Sequence, residues 1–107
     1  MATADDVRRL ALLLEGTTEA PHFERTAFKV ARIYATLPPD GLTANVKLAP
    51  DEQDLKCLLA PEAFSPIPNA WGKQGWTIAT LAELSHAELK DVLTLAWRHG
   101  AAKKRKR

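Results

Sequence analysis

Val7, Leu10, Ala11 and Leu14 fall at i, i+3, i+4 and i+7, which predicts an amphipathic helix at the start of the chain. Thr3 with Asp6 three residues on supplies a capping box, and Gly16 is its expected stop. Arg8, Arg9 and Glu15 fall off the apolar stripe. From Phe28 to Leu48 the period changes from helical to alternating. Strands at Phe28–Val30 and Ile33–Leu37, joined by Ala31-Arg32, would pair Val30 with Ile33, Lys29 with Tyr34 and Phe28 with Ala35. Pro38-Pro39-Asp40-Gly41 is a four-residue turn, with proline to set φ and glycine to accept positive φ. Across it Leu37 would pair with Leu42, Ala35 with Ala44, Tyr34 with Asn45 and Ile33 with Val46.

Opposed residues share a face, and the two hairpins agree on which face is apolar. One side collects Phe28, Val30, Ile33, Ala35, Leu37, Leu42, Ala44, Val46 and Leu48; the other collects Lys29, Tyr34, Thr36, Thr43, Asn45 and Lys47. This is an antiparallel meander with one buried and one polar face. Pro50 followed by Asp51 and Glu52 opens a second helix, with Leu55, Leu58 and Leu59 expected on its inner side and Ala60-Pro61 as its end. The stretch Ala63–Ala70, with two prolines, is expected to be an extended connector, and Trp76–Leu81 a further strand. Ser85, Glu88 and the Leu84/Leu89 pair predict a capped final helix. Its inner stripe is Leu89, Val92, Leu93, Ala96 and Trp97, and Gly100 is its expected close. The order α-β-β-β-α-β-α gives an α+β two-layer domain, an antiparallel sheet with helices packed on one face.

A chain of 107 residues is one domain's worth. The domain is expected over residues 1–100, followed by a disordered basic tail at 101–107. The formal charge of +2 conceals a division. Five of the fifteen bases are Lys103, Lys104, Arg105, Lys106 and Arg107, which leaves ten against thirteen acids and a body of net −3. A lone cysteine, Cys57, an acidic start without a signal peptide's cationic region, and no apolar run long enough for a membrane span lead to a cytoplasmic expectation.

Several segments then carry a resemblance. Pro21-His22-Phe23, Phe28-Lys29-Val30, Ile33–Leu37, Asn45–Gln53 and Asn69-Ala70-Trp71-Gly72-Lys73-Gln74-Gly75-Trp76-Thr77, in this order, resemble the MmcQ/YjbR family from about Val7 to Arg98. The tryptophan-glycine segment followed by a helix ending in Ala96-Trp97-Arg98 is the most specific part. The resemblance implies a frataxin-like α+β fold, sometimes described as a double wing, and a DNA-binding role that rests on the fold. It carries no catalytic residues over. The chain departs at Ala31-Arg32, where relatives often have a slightly longer, glycine-containing turn.

Three candidate sites follow. The terminal Lys103, Lys104, Arg105, Lys106 and Arg107 can contact phosphates through counterion release; their plainer role is to keep a loose end soluble. Lys29, Tyr34, Asn45 and Lys47 would place a ring between two cations on the polar sheet face, as nucleic-acid-binding sheets do. Trp71, Lys73, Gln74 and Trp76 could form a pocket or interface, or their indoles could simply close the core. His22, His86 and His99 are scattered, without carboxylate or cysteine at ligand spacing, and Cys57 is expected to be a small buried apolar residue. No catalytic residue, metal or cofactor is expected, and the first helix lacks the dense acidic ridge that iron would need. The expectation is therefore a non-enzymatic, monomeric binding module whose partner is DNA, held weakly and largely by electrostatics. The alternative is an adaptor that binds a protein or small molecule through the Trp71–Trp76 segment.

Overall fold

Thr3 and Asp6 close the reciprocal box that the first residues encode. Thr3 Oγ1 accepts from the Asp6 N–H at 3.2 Å, and the Asp6 carboxylate accepts from the Thr3 N–H at 2.9 Å. Helix α1 (Ala4–Leu13) follows, in a computed structural model that describes residues 1–102. The run Lys103, Lys104, Arg105, Lys106 and Arg107 lies outside the described residues. Val7 and Ala11 are buried, while Leu10 and Leu14 are partly so. The helix ends at Leu13 rather than at Gly16, which turns the chain at φ +78° into a strand.

That strand, β1 (Thr18–His22), was not legible in the sequence, because none of its residues is buried and Pro21 interrupts its donors. It forms the sheet edge and pairs with β2 (Arg25–Lys29), Pro21 opposite Thr26 and His22 opposite Arg25. The remaining strands are β3 (Ile33–Leu37), β4 (Thr43–Lys47), β5 (Phe64–Pro66) and β6 (Trp76–Thr80). They lie in the order β1-β2-β3-β4-β6-β5, each pair antiparallel. The fold class is the expected one, with two added edge strands. The prolines around β5 leave three residues of the expected connector free to pair with β6.

The β2–β3 register departs from the alternating expectation. Phe28 opposes Ala35, but its neighbour Lys29 opposes Ile33, so Tyr34 is an extra residue in β3. Such a bulge turns two successive residues to one side and reverses the alternation beyond it. Tyr34 therefore joins Ala35 on the helix side, where it is fully buried. Its hydroxyl lies 2.8 Å from Thr17 Oγ1 and 3.4 Å from the Ala11 carbonyl. Ile33 turns instead to the helix-free side. Between β3 and β4 the register is Ala35 to Val46 and Thr36 to Asn45, two residues from the predicted pairing. A shift of two keeps the residues of β4 on their predicted faces but puts Leu42 into the loop, exposed rather than in the core.

Helix α2 (Pro50–Leu59) has Pro50 in its first turn, as expected, and the Glu52 carboxylate accepts from the Ala49 N–H at 2.9 Å. Its orientation is the reverse of the expected one. Leu55, Leu58 and Leu59 are exposed, Leu58 by 77 %, and the buried residue is Gln53, with Cys57 and Ala60 partly packed on the core. The inward-facing Gln53 is hydrogen-bonded to the turn described below. Helix α3 (Ala70–Lys73) is a single turn.

Helix α4 (His86–Ala101) lies across β3 and β4 and packs on α1. Leu89, Val92, Leu93 and Ala96 are buried, and the half-buried Trp97 donates from its indole to the Glu15 carbonyl at 2.9 Å. Gly100 does not end the helix; it is the point where α4 touches the sheet. A Cβ there would stand 2.9 Å from the Arg32 carbonyl and 3.1 Å from Tyr34 Cβ and Cδ2. Arg32 in turn caps the helix C-terminus: its guanidinium donates to the carbonyls of His99 at 2.7 Å and Ala102 at 3.1 Å.

Gly100→Ala should destabilise the protein by about 1–3 kcal/mol in urea melts, although alanine is the better helix former, because the added methyl meets backbone and a packed ring. Two capping carboxylates contribute to the acid response. Arg9 holds Asp6 well below the usual carboxylate range, and the Ser85 N–H lowers Glu88. Both values are depressed on folding, so their stabilisation is present above the ordinary carboxylate values and is lost as the pH falls through the folded ones. Glu88→Gln keeps the cap but removes one titration. Its Tm should fall less steeply than that of the unmodified protein below about pH 4.

Candidate functional site

Residues 67–76 are shaped by close backbone contact. Asn69 Oδ1 accepts from the Trp71 N–H at 2.8 Å and starts α3. A Cβ at Gly72 would stand 1.8 Å from the Ile67 carbonyl oxygen, and one at Gly75, where φ is +109°, would stand 1.8 Å from that of Leu48. Only glycine permits either approach. Gln53 fastens this turn from α2: its amide nitrogen lies 3.0 Å from the Gly72 carbonyl, 3.1 Å from that of Trp76 and 3.2 Å from Thr77 Oγ1. Thr77 is itself buried and donates to the Gly75 carbonyl at 2.9 Å. This polar lock goes with the orientation of α2: the side chain that faces inwards is Gln53, and its buried amide finds its acceptors in the turn.

The lock fixes both tryptophans at the helix-free sheet face. Trp71 is 57 % exposed and Trp76 partly buried, so neither indole closes the core. They line an open groove of about 510 Å³ with Ile67 and Asn69 on their side, Ile33, Thr36 and Asn45 of β3 and β4 on its floor, and His22 and Arg25 at the far side. Arg25 Nε donates to Thr36 Oγ1 at 2.9 Å, while its buried Nη2 has no hydrogen-bond partner and the guanidinium makes no ion pair among the described residues. Burial pushes the Arg25 guanidinium below its ordinary value and Asp40 pulls it back. Beside the groove, the two-residue turn Phe23-Glu24 carries Phe23 at φ +59° and 92 % exposed, its ring edge-on to His22 at 4.9 Å.

The expected sheet-face set is only partly assembled. Asn45 is in the groove; Lys29 is exposed on the same side of the sheet; and Lys47 lines a small cavity with Arg32, Ile33 and His99. Tyr34 is not with them, because the bulge sends it into the helix layer, where burial raises its hydroxyl's pKa. Ile33, the register partner of Lys29, takes its place between the cations. Of the second set, Trp71 and Trp76 meet in the groove, Lys73 lines a separate cleft beside Gln53, and Gln74 lies exposed in the turn. Two candidate sites that the sequence kept apart thus share one face. Sequence reasoning missed Arg25, His22 and Phe23, for which the unrecognised β1–β2 hairpin was the only signal.

Elsewhere, His99 Nε2 lies 3.2 Å from Glu52 Oε1, and His86 bridges Asp6 and Arg9 at 3.2 and 3.1 Å. Cys57 is partly buried, with burial and Asp54 raising its thiol. Among the described residues there is no group of three or more histidine, cysteine or acidic side chains placed to hold a metal ion, and no helix long and apolar enough to cross a membrane.

Six antiparallel strands, helices on one side and a grooved, uncovered opposite face define a small α+β domain with one open sheet surface. The family model described as YjbR matches residues 12–99, and the chain belongs to that family. The crystal structure of Deinococcus radiodurans protein DR2400, which carries a domain described as DUF419, is similar over 91 % of this chain and 77 % of that one, with a TM-score of 0.78 and 25 % identity. No functionally curated protein matches.

Gln53→Leu should cost about 1–3 kcal/mol in thermal or urea melts, since it leaves the acceptors of the turn short of a donor. Its tryptophan emission should change before global unfolding, because the variant loosens the segment that holds Trp71 and Trp76.

Proposed function

We propose that the protein is a non-enzymatic nucleic-acid-binding module, acting weakly, largely by electrostatics and with little sequence preference, through the helix-free face of its sheet. The observation that carries this reading is where the charges fall. The six strands contain the cations Arg25, Lys29 and Lys47 and a single acid, Glu19. Glu19 is held by Arg8 of α1 at 3.0 Å, on the helix side. The other acids lie in the helices and connections, so a body of net −3 still offers an anionic partner a cationic sheet face. Lys103, Lys104, Arg105, Lys106 and Arg107 would add counterion release without sequence information. A monomer in the cytoplasm belongs to the same proposal.

A second reading is favoured by the groove itself. Its volume of about 510 Å³ and two accessible indoles suit a small flat ligand or a partner's side chain, which would make the domain an adaptor.

Titrating labelled DNA against salt tests the first reading. The Lys29→Ala/Lys47→Ala variant should bind more weakly on every sequence. Its log–log salt slope should be shallower by about 1.5, the loss of two phosphate contacts. Deleting residues 103–107 should weaken binding but not abolish it. Failure of the full chain to bind at low salt removes the reading.

A further inference from the structure

Phe23 is difficult to explain by folding alone. Two-residue hairpin turns that need positive φ favour glycine, asparagine or aspartate, and a bulky side chain at φ +59° is strained. Burial does not offset that strain, because Phe23 is 92 % exposed, its aromatic neighbour among the described residues being His22 at 4.9 Å. A strained, solvent-facing aromatic is a feature that stability would remove. Its position gives it a use. His22 lies on the wall of the groove, so Phe23 stands at one rim, and Trp71, also more than half exposed, stands on the opposite wall. Between them is Arg25, charged and without an ion pair among the described residues. The face thus presents a ring, a cation and a ring.

Ring faces and cationic charge in alternation match a chain of flat bases joined by phosphates. A duplex cannot use the rings: its bases already stack on one another and offer only edges in the grooves. Unpaired bases have free faces. We propose that this surface binds single-stranded nucleic acid, stacking one base on Trp71 in the groove and another base of the same strand on Phe23, with a phosphate between them drawn towards Arg25. The proposal rests on the nucleic-acid reading of the sheet face and adds to it a preference for unpaired over duplex strands.

The test titrates the full chain with a fluorescein-labelled strand of about twelve nucleotides and with its blunt duplex, at low and moderate salt. The single strand should bind about tenfold more tightly and quench tryptophan emission. Phe23→Gly should weaken single-strand binding about tenfold while its Tm stays unchanged or rises by a few degrees, because the substitution relieves strain. That opposition of signs separates a binding role from a structural one. Trp71→Ala should lose a similar factor, and Trp71→Phe should keep most of the affinity, since it retains a ring. Equal affinity for strand and duplex, or undiminished affinity in Phe23→Gly, overturns the proposal while leaving the electrostatic reading intact. Absence of binding to either probe overturns both.

Discussion

The unpaired residue in β3 governs how the two layers meet. Because Tyr34 has no partner across from β2, it and Ala35 both turn towards the helices, and the phenol reaches through to α1 and the start of the hairpin. The ring needs space under α4, and Gly100 supplies it. The same bend brings Arg32 under the C-terminus of α4, where its guanidinium satisfies carbonyls that a helix end otherwise leaves open. Sheet, first helix and last helix are thus tied together within a few residues of one bulge. Its reversal of alternation also sends Ile33 outwards, giving the opposite face an aliphatic floor instead of a tyrosine.

The opposite face is built by a different device. Turn 67–76 folds back on its own Ile67 and approaches Leu48, between β4 and α2, more closely than any side chain would allow, and glycines 72 and 75 make those contacts possible. Gln53 then secures it from the core side, and the two tryptophans are carried to the groove as a consequence. Rigidity behind and exposed rings in front is the arrangement expected of a binding surface, since positioning comes from packed elements and contact from the groups left free. The cationic character of this face arises by sorting rather than by excess: the helices and connections carry nearly all the acids, leaving the strands to hold bases.

Much of the architecture was legible from local pattern. The capping boxes at Thr3 and Ser85, the stripe of α4, the polar and apolar faces of β4 and the proline start of α2 all follow from short-range chemistry, and each forms where the sequence places it. Family membership was legible too, since the motifs from the Phe28 strand to the tryptophan-glycine turn stand in order along the chain. The edge strands were not. A strand that buries none of its residues, such as Thr18–His22, has no alternating signal, and one interrupted by proline resembles a connector.

What the sequence by itself determined was the α+β class, the antiparallel meander, the helix caps and the presence of a polar sheet face, because these depend on periodicity and on groups within a few residues of one another. What only the tertiary structure decided was which side chains occupy that face. The orientation of α2 goes with a buried amide whose partners lie in a turn some twenty residues away, and the place of Tyr34 turned on one unpaired residue that alternation cannot reveal. Trp71 and Trp76 came to share a groove with Arg25 and Asn45 through the pairing of β4 with β6, strands distant in sequence. That long-range register, rather than any local motif, put the groove together.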